Sequence, residues 1–219
     1  MGRRDATIDF VRSAPDTLAG RYLRRYWQPV FESKQLPAGV AKPVRVMHPD
    51  LVVYRGGDGK VRVMDARCPH RGTHLTAGWV EGTALRCYYH GWLFGSDGRC
   101  IEQPAEPKPF CHEIWIGSYP VEEQLGLLFV YLGAPPTPAL PRWPEFEDGA
   151  HVASIARLAC NYFQSAKNIV DDVHVGFVHG TTRSASGAKP HRRSPLVAAE
   201  ETDYGIQMTY KKRGPIERS

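Results

Sequence analysis

The sequence predicts an α+β chain: an all-β antiparallel sandwich over residues 40–135, followed by the start of an α+β unit over residues 151–219. Three observations point that way. Gly 21 and Pro 18 make 39 of 219 residues, about 18% against an ordinary ~12%, a density of turns that goes with short strands. Alternating apolar segments cluster in the first half of the chain. A helical rhythm appears only from Cys160 to His179, beyond the Pro-rich stretch Ala134–Pro144.

In chain order, residues 1–39 read as a lead segment with a short helix in residues 15–30 that stops at Pro29. The segments Pro43–His48, Leu51–Gly56 and Lys60–Asp65 alternate as half-buried strands do, and Gly56-Gly57-Asp58-Gly59 marks a hairpin turn. Glu113–Tyr119 and Leu125–Leu132 read as further strands, and Phe94–Arg99 as a turn. Residues 136–150 form a linker, and Leu196–Lys212 a hairpin turning near Asp203-Tyr204-Gly205.

Composition narrows the function. Lys+Arg 28 against Asp+Glu 23 leaves +5, spread along the chain and pointing to no nucleic-acid partner. The longest apolar run, Leu125–Leu132, is far short of the ~18 residues of a membrane span. The N-terminus has charges but no apolar signal region, so the chain is read as cytoplasmic.

Five cysteines without a secretory signal favour a metal or a catalytic thiol over a disulfide framework. Cys68-Pro69-His70 and Cys87-Tyr88-Tyr89-His90 are two compact Cys/His pairs separated by Arg71–Arg86. A structural zinc would take four such ligands, although its usual knuckles segregate the cysteines from the histidines. A two-iron cluster, with both cysteines on one iron and both histidines on the other, needs one ligand of each kind from each loop. Cys100, Cys111 and Cys160 lack such partners and read as small buried hydrophobes.

A second group follows the linker. Asn168, Asp171 and His174 fall at i, i+3 and i+6, a slanting row on a helix set among Ile169, Val170, Val173, Val175, Phe177 and Val178. This segment is expected to be buried. His174 and His179 are five residues apart, ~140° round a regular helix, so one ion could take both only if the helix widened into a π-type turn or ended near Gly176. Two imidazoles and a carboxylate with open positions suit non-heme Fe(II).

With Cys68–Gly72 and Cys87–Trp92 in hand, the chain resembles the Rieske 2Fe-2S proteins. Thr73 and Tyr89 stand where respiratory members carry a bracing disulfide, so the likeness is to the oxygenase and ferredoxin branches. Through Asn168, Asp171, His174 and His179 it resembles the Rieske non-heme iron oxygenases of the phthalate and vanillate type. The resemblance implies a Rieske 2Fe-2S cluster on Cys68, His70, Cys87 and His90, with Tyr88, Tyr89 and Trp92 shielding it. It implies a mononuclear Fe(II) on His174 and His179 in a helix-grip catalytic domain, and Asp171 as the bridge to His90 of a neighbouring subunit in a homotrimer. It further implies an NADH-dependent reductase or ferredoxin as electron donor, and O2 activation that hydroxylates or oxidatively demethylates an aromatic substrate. Glu200, Glu201, Asp203 and Glu217 are the carboxylates after His179, and none is taken as the third iron ligand. The chain is therefore expected to be C-terminally truncated. The alternative is a Rieske ferredoxin-like carrier without oxygenase activity.

Overall fold

The computed structural model describes residues 9–142, 144–146, 149, 152–171, 173–179, 195–203 and 205–211. They divide into two compact units between Arg157 and Leu158. Among the described residues no helix is long and apolar enough to cross a membrane.

The first unit opens with α1 (Leu18–Leu23), capped by the Thr17 hydroxyl, which accepts from the Gly20 N–H at 3.1 Å. The helix ends earlier than expected. Residues 28–32 form a strand instead, β1 (Gln28–Glu32), which takes the edge of a sheet where Pro29 need not donate to a second neighbour. Next come β2 (Ala41–Arg45), β3 (Asp50–Arg55) and β4 (Val61–Asp65), the three strands expected from the alternation. The Gly56–Gly59 turn closes as read: Gly56 N–H donates to Lys60 O at 3.0 Å and Gly59 N–H to Gly56 O at 3.0 Å.

After the first Cys/His loop come β5 (Trp79–Glu81) and β6 (Ala84–Arg86), and after the second come β7 (Leu93–Phe94) and β8 (Cys100–Glu102). The segment expected as a strand from Glu113 is different. Cys111–Glu113 is a single 3₁₀ turn, and only β9 (Ser118–Tyr119) pairs in a sheet. β10 (Val121–Gln124) and β11 (Leu127–Val130) are joined by Leu125 and Gly126, with φ of 51° and 76°. Both central residues are left-handed, the signature of a type I′ turn, so Leu125 turns the chain where a strand was expected.

Among the described residues of the first unit the antiparallel strands make three sheets, β1-β11-β10, β2-β3-β4-β9 and β5-β6-β7-β8. β3 lies at their centre. Leu51 and Val53 face a core with Val30, Val44, Val63, Leu128 and Val130, while Val52 and Tyr54 face another with Met64, Leu85, Phe94 and Ile116. The uninterrupted apolar run Leu51–Tyr54 is thus a strand covered on both faces. Full burial of each such side chain is worth ~1.5–3 kcal/mol.

In the second unit, α2 (Tyr162–Ile169) precedes β12 (Leu196–Thr202) and β13 (Gly205–Lys211), which pair as the expected hairpin. Every residue of β12 is exposed. The apolar segment after α2 is exposed too, with Val175 at 43% and Phe177 at 44%. The expectation of a buried segment fails because one helix and one hairpin, among the described residues, offer no second layer to cover it.

Candidate functional site

The two Cys/His loops share one backbone frame. In the first, Cys68 N–H donates to Thr73 O at 2.9 Å and Gly72 N–H donates to Cys68 O at 2.9 Å. In the second, Cys87 N–H donates to Trp92 O at 2.8 Å and Gly91 N–H to Cys87 O at 3.1 Å. Gly72 and Gly91 have φ of 70° and 74°, a conformation that favours glycine. The echo extends one residue upstream. Arg67 donates from its guanidinium to Gly72 O at 3.2 Å, and Arg86 to Gly91 O at 2.8 Å.

The arginines differ in setting. Arg86 has a side chain only 12% exposed and also reaches Glu81 at 2.6 Å and Glu102 at 2.8 Å. Its hydrogen bond to Glu81 raises its pKa further above the ordinary range. Both arginines escaped the sequence reading, although the repeated pattern Arg-Cys-x-x-x-Gly was there to be seen at 67–72 and 86–91.

The loops bring like ligands together. Cys68 and Cys87 are free thiols, each 2% exposed, in the core shared with Leu75, Leu85 and Trp92. Burial, the larger cause, and the neighbouring Cys87 thiol push the Cys68 thiol up to about 11. The backbone N–H groups of His70 and Arg71 act against that rise. The rings of His70 and His90 stand 4.4 Å apart. The buried Nδ1 of His70 has no hydrogen-bond partner, an arrangement that suits a ligating nitrogen.

Among the described residues, no three His, Cys, Asp or Glu side chains gather round one point as a single metal ion requires. A structural zinc would need four. Two thiols side by side and two imidazoles side by side fit instead a two-iron cluster, in which each iron takes only two protein ligands. Of the aromatic residues expected to shield the site, Trp92 is buried, and Tyr89 is 59% exposed with its ring 4.0 Å from His90. Tyr88 is 68% exposed and turned outward.

The second group departs from a single helix. α2 ends at Ile169, and the turn resumes at Val173 because the Asp171 carboxylate accepts from the Val173 N–H at 3.0 Å and the His174 N–H at 3.4 Å. Asp171 therefore acts as a cap rather than one of a row along a helix face. Its Oδ2 also lies 3.5 Å from His174 Nδ1. Val175–His179 is a π-helical turn. A turn of this kind was one of the two local geometries expected near Gly176. The His179 side chain, Tyr204 in the expected hairpin turn, and Glu217 lie outside the described residues. Glu200, Glu201 and Asp203 are exposed in and beside the hairpin.

The remaining cysteines divide. Cys100 is buried, Cys111 is partly buried beside it, and Cys160 is exposed, against the expectation of a small buried side chain, because its unit does not cover it.

The Rieske [2Fe-2S] domain model matches residues 26–121. The 5,5′-dehydrodivanillate O-demethylase oxygenase subunit of a Sphingobium species is 37% identical over 212 residues, which cover 92% of this chain and 50% of that protein. The phenoxybenzoate dioxygenase subunit alpha of Ectopseudomonas oleovorans is 36% identical over 227 residues, covering 94% and 54%. A solved oxygenase of carbazole 1,9a-dioxygenase, in complex with ferredoxin, shares the fold with a TM-score of 0.70 at 22% identity, over 90% of this chain and 57% of that one. The chain spans about half the length of the curated relatives it matches. Paired thiols and paired imidazoles thus sit inside a Rieske [2Fe-2S] domain at residues 26–121, and the similarity to oxygenase subunits continues well past that domain.

Proposed function

We propose that the chain acts in the oxygenase component of a Rieske-type dioxygenase or monooxygenase. Cys68 and Cys87 would hold one iron of a 2Fe-2S cluster, His70 and His90 the other, and His174 and His179 would hold a mononuclear Fe(II). Together these centres supply single electrons and a place for O2 to be activated against a small aromatic substrate. The protein residues position and insulate. Trp92 and the surrounding core keep water from the sulfurs, and Tyr89 flanks the exposed side of His90. Asp171 fixes the backbone turn that carries His174.

An NADH-dependent reductase or a ferredoxin would supply the electrons, and His90 would face Asp171 of the partner subunit in a homotrimer. The component works in the cytoplasm. Hydroxylation and oxidative demethylation both fit this arrangement, and the two similar proteins named above divide between a demethylase and a dioxygenase.

The observation that carries this reading is the segregated pairing, with thiol against thiol and the two imidazole rings 4.4 Å apart. A ferredoxin-like carrier has no use for the Asp171–His179 segment, and the similarity to oxygenase subunits covers 92% of the chain. Metal analysis with low-temperature EPR of the reduced protein tests it. About three irons per chain and a Rieske-type signal are expected. About two irons with that signal would leave only a carrier, and zinc without a signal would overturn the cluster itself.

A further inference from the structure

We propose that Cys100 and Cys111 are a peroxide-responsive thiol pair that closes reversibly to a disulfide beside the iron–sulfur site. Neither residue belongs to the cluster loops. Cys100 opens β8, and Cys111 opens the 3₁₀ turn Cys111–Glu113. Backbone bonding draws the two segments together: Cys100 N–H donates to Ile114 O at 2.9 Å, and Arg99 bridges to Trp115. The Cys100 thiol donates to Glu102 O at 3.4 Å, Cys111 packs against the core that holds Cys100, and both are free.

Their surroundings divide the work. Cys100 is 4% exposed and packs in the core that also holds Cys68 and Cys87, while Cys111 packs against the outside of that core. Both line a cleft of about 560 Å³ with Arg99, His112 and Trp115. A small oxidant reaches Cys111 through the cleft. Among the described residues no third His, Cys, Asp or Glu joins the pair in a group that could hold a metal ion.

The oxidant is hydrogen peroxide, the two-electron reduction product of O2. The Cys111 sulfur attacks one peroxide oxygen, the O–O bond breaks, and a sulfenic acid and water result. The Cys100 sulfur then displaces the hydroxyl from Cys111, its proton leaving with it as a second water. In sum, two thiols and one peroxide become one disulfide and two waters, with two electrons passing from sulfur to oxygen. A dithiol reductant reverses the step.

The test treats the purified, cluster-bearing chain with one equivalent of hydrogen peroxide, then alkylates and digests it with trypsin. Lys108 is followed by Pro109, so Cys100 and Cys111 stay on one peptide ending at Arg142. The expected result is that peptide carrying neither alkyl label and two hydrogens lighter than its dithiol form, with both labels restored after dithiothreitol. Cys111→Ser abolishes the change and Cys160→Ser leaves it intact. Cys100→Ser, which keeps the accessible sulfur, gives a Cys111 sulfenic acid trapped by dimedone. Full labelling of both cysteines at a dose that oxidises exposed Cys160 would overturn the proposal, as would cluster bleaching with the pair still reduced. The test reads sulfur directly, so its outcome is independent of whether the chain proves to be an oxygenase or a carrier.

Discussion

His70 lies flat against Trp92, with ring centroids 4.7 Å apart and planes 5° from parallel. Trp92 closes the second loop, so an imidazole from the first loop is oriented by an aromatic plane from the other. Phe110 meets the same indole edge-on at 5.6 Å. Trp92→Ala removes both contacts from a residue 2% exposed. It should cost ~3–5 kcal/mol in urea denaturation and lower the iron retained after desalting, whereas Trp92→Phe should recover most of both.

Arg86 ties the second loop to two carboxylates that are 48% and 53% exposed. Water screens those pairs, so the Arg86→Gln variant should lose only ~1–2 kcal/mol, chiefly through the orphaned Gly91 carbonyl. The same change at Arg67, whose side chain is 58% exposed and whose bond to Gly72 O is longer at 3.2 Å, should be nearly silent. Thermal melts of the two variants side by side give the comparison.

Gly78 follows the first loop and abuts the residues that lead into the second. A Cβ there would sit 1.8 Å from Arg86 O and 3.2 Å from Tyr88 N. Backbone cannot swing aside as a side-chain tip can. Gly78→Ala should therefore force the loops apart, with a loss of ~1–3 kcal/mol or more and loss of the cluster's visible absorbance. Gly82→Ala meets nothing within 4 Å of its Cβ, and its φ of 61° confines the effect to local strain, leaving that absorbance unchanged.

Asp58 in the β3–β4 turn accepts from Arg62 at 2.9 and 2.7 Å and from the Lys60 N–H at 3.1 Å. The Arg62 hydrogen bonds, the largest cause, hold its carboxyl well below the ordinary 3.8. A carboxyl harder to protonate when folded than when unfolded stabilises the fold above the unfolded value and loses that contribution as pH falls below it. Wild type should thus be more stable than Asp58→Asn at neutral pH, and their denaturation midpoints should converge as pH is lowered through and below about 3.8.

If Cys68, His70, Cys87 and His90 are the ligands, serine at either cysteine or alanine at either histidine should abolish the visible chromophore and reduce bound iron. Cys160→Ser should preserve both. Absorbance and iron content per chain check this together.

The meeting of the two loops was legible because its signal is chemical and local: Cys68-x-His70 and Cys87-x-x-His90 offer candidate donors by type and spacing, and the two imidazole rings do come together. The strands β2, β3 and β4 were legible because alternation and the glycine-rich turn agree. Other features depend on partners distant in sequence. β10 is polar, with Val121-Glu122-Glu123-Gln124, and is a strand only because β11 folds back on it. The proximity of Cys100 and Cys111 arises from the pairing of Arg99 with Trp115, which no local pattern announces. At the second site Gly176 was read correctly as permitting a widened turn, but the exposure of Val175 and Phe177 reflects what covers them, which periodicity does not encode.

The matched loop frames separate scaffold from ligand. Hydrogen bonds anchored on Cys68 and Cys87 set a six-residue span in each loop, yet the imidazole sits two residues along in one and three in the other. Within such a hairpin the donor can change place or element while the chain path stays put. Redox tuning by exchange of that donor is therefore open to small steps of substitution, none of which requires the β scaffold to be rebuilt.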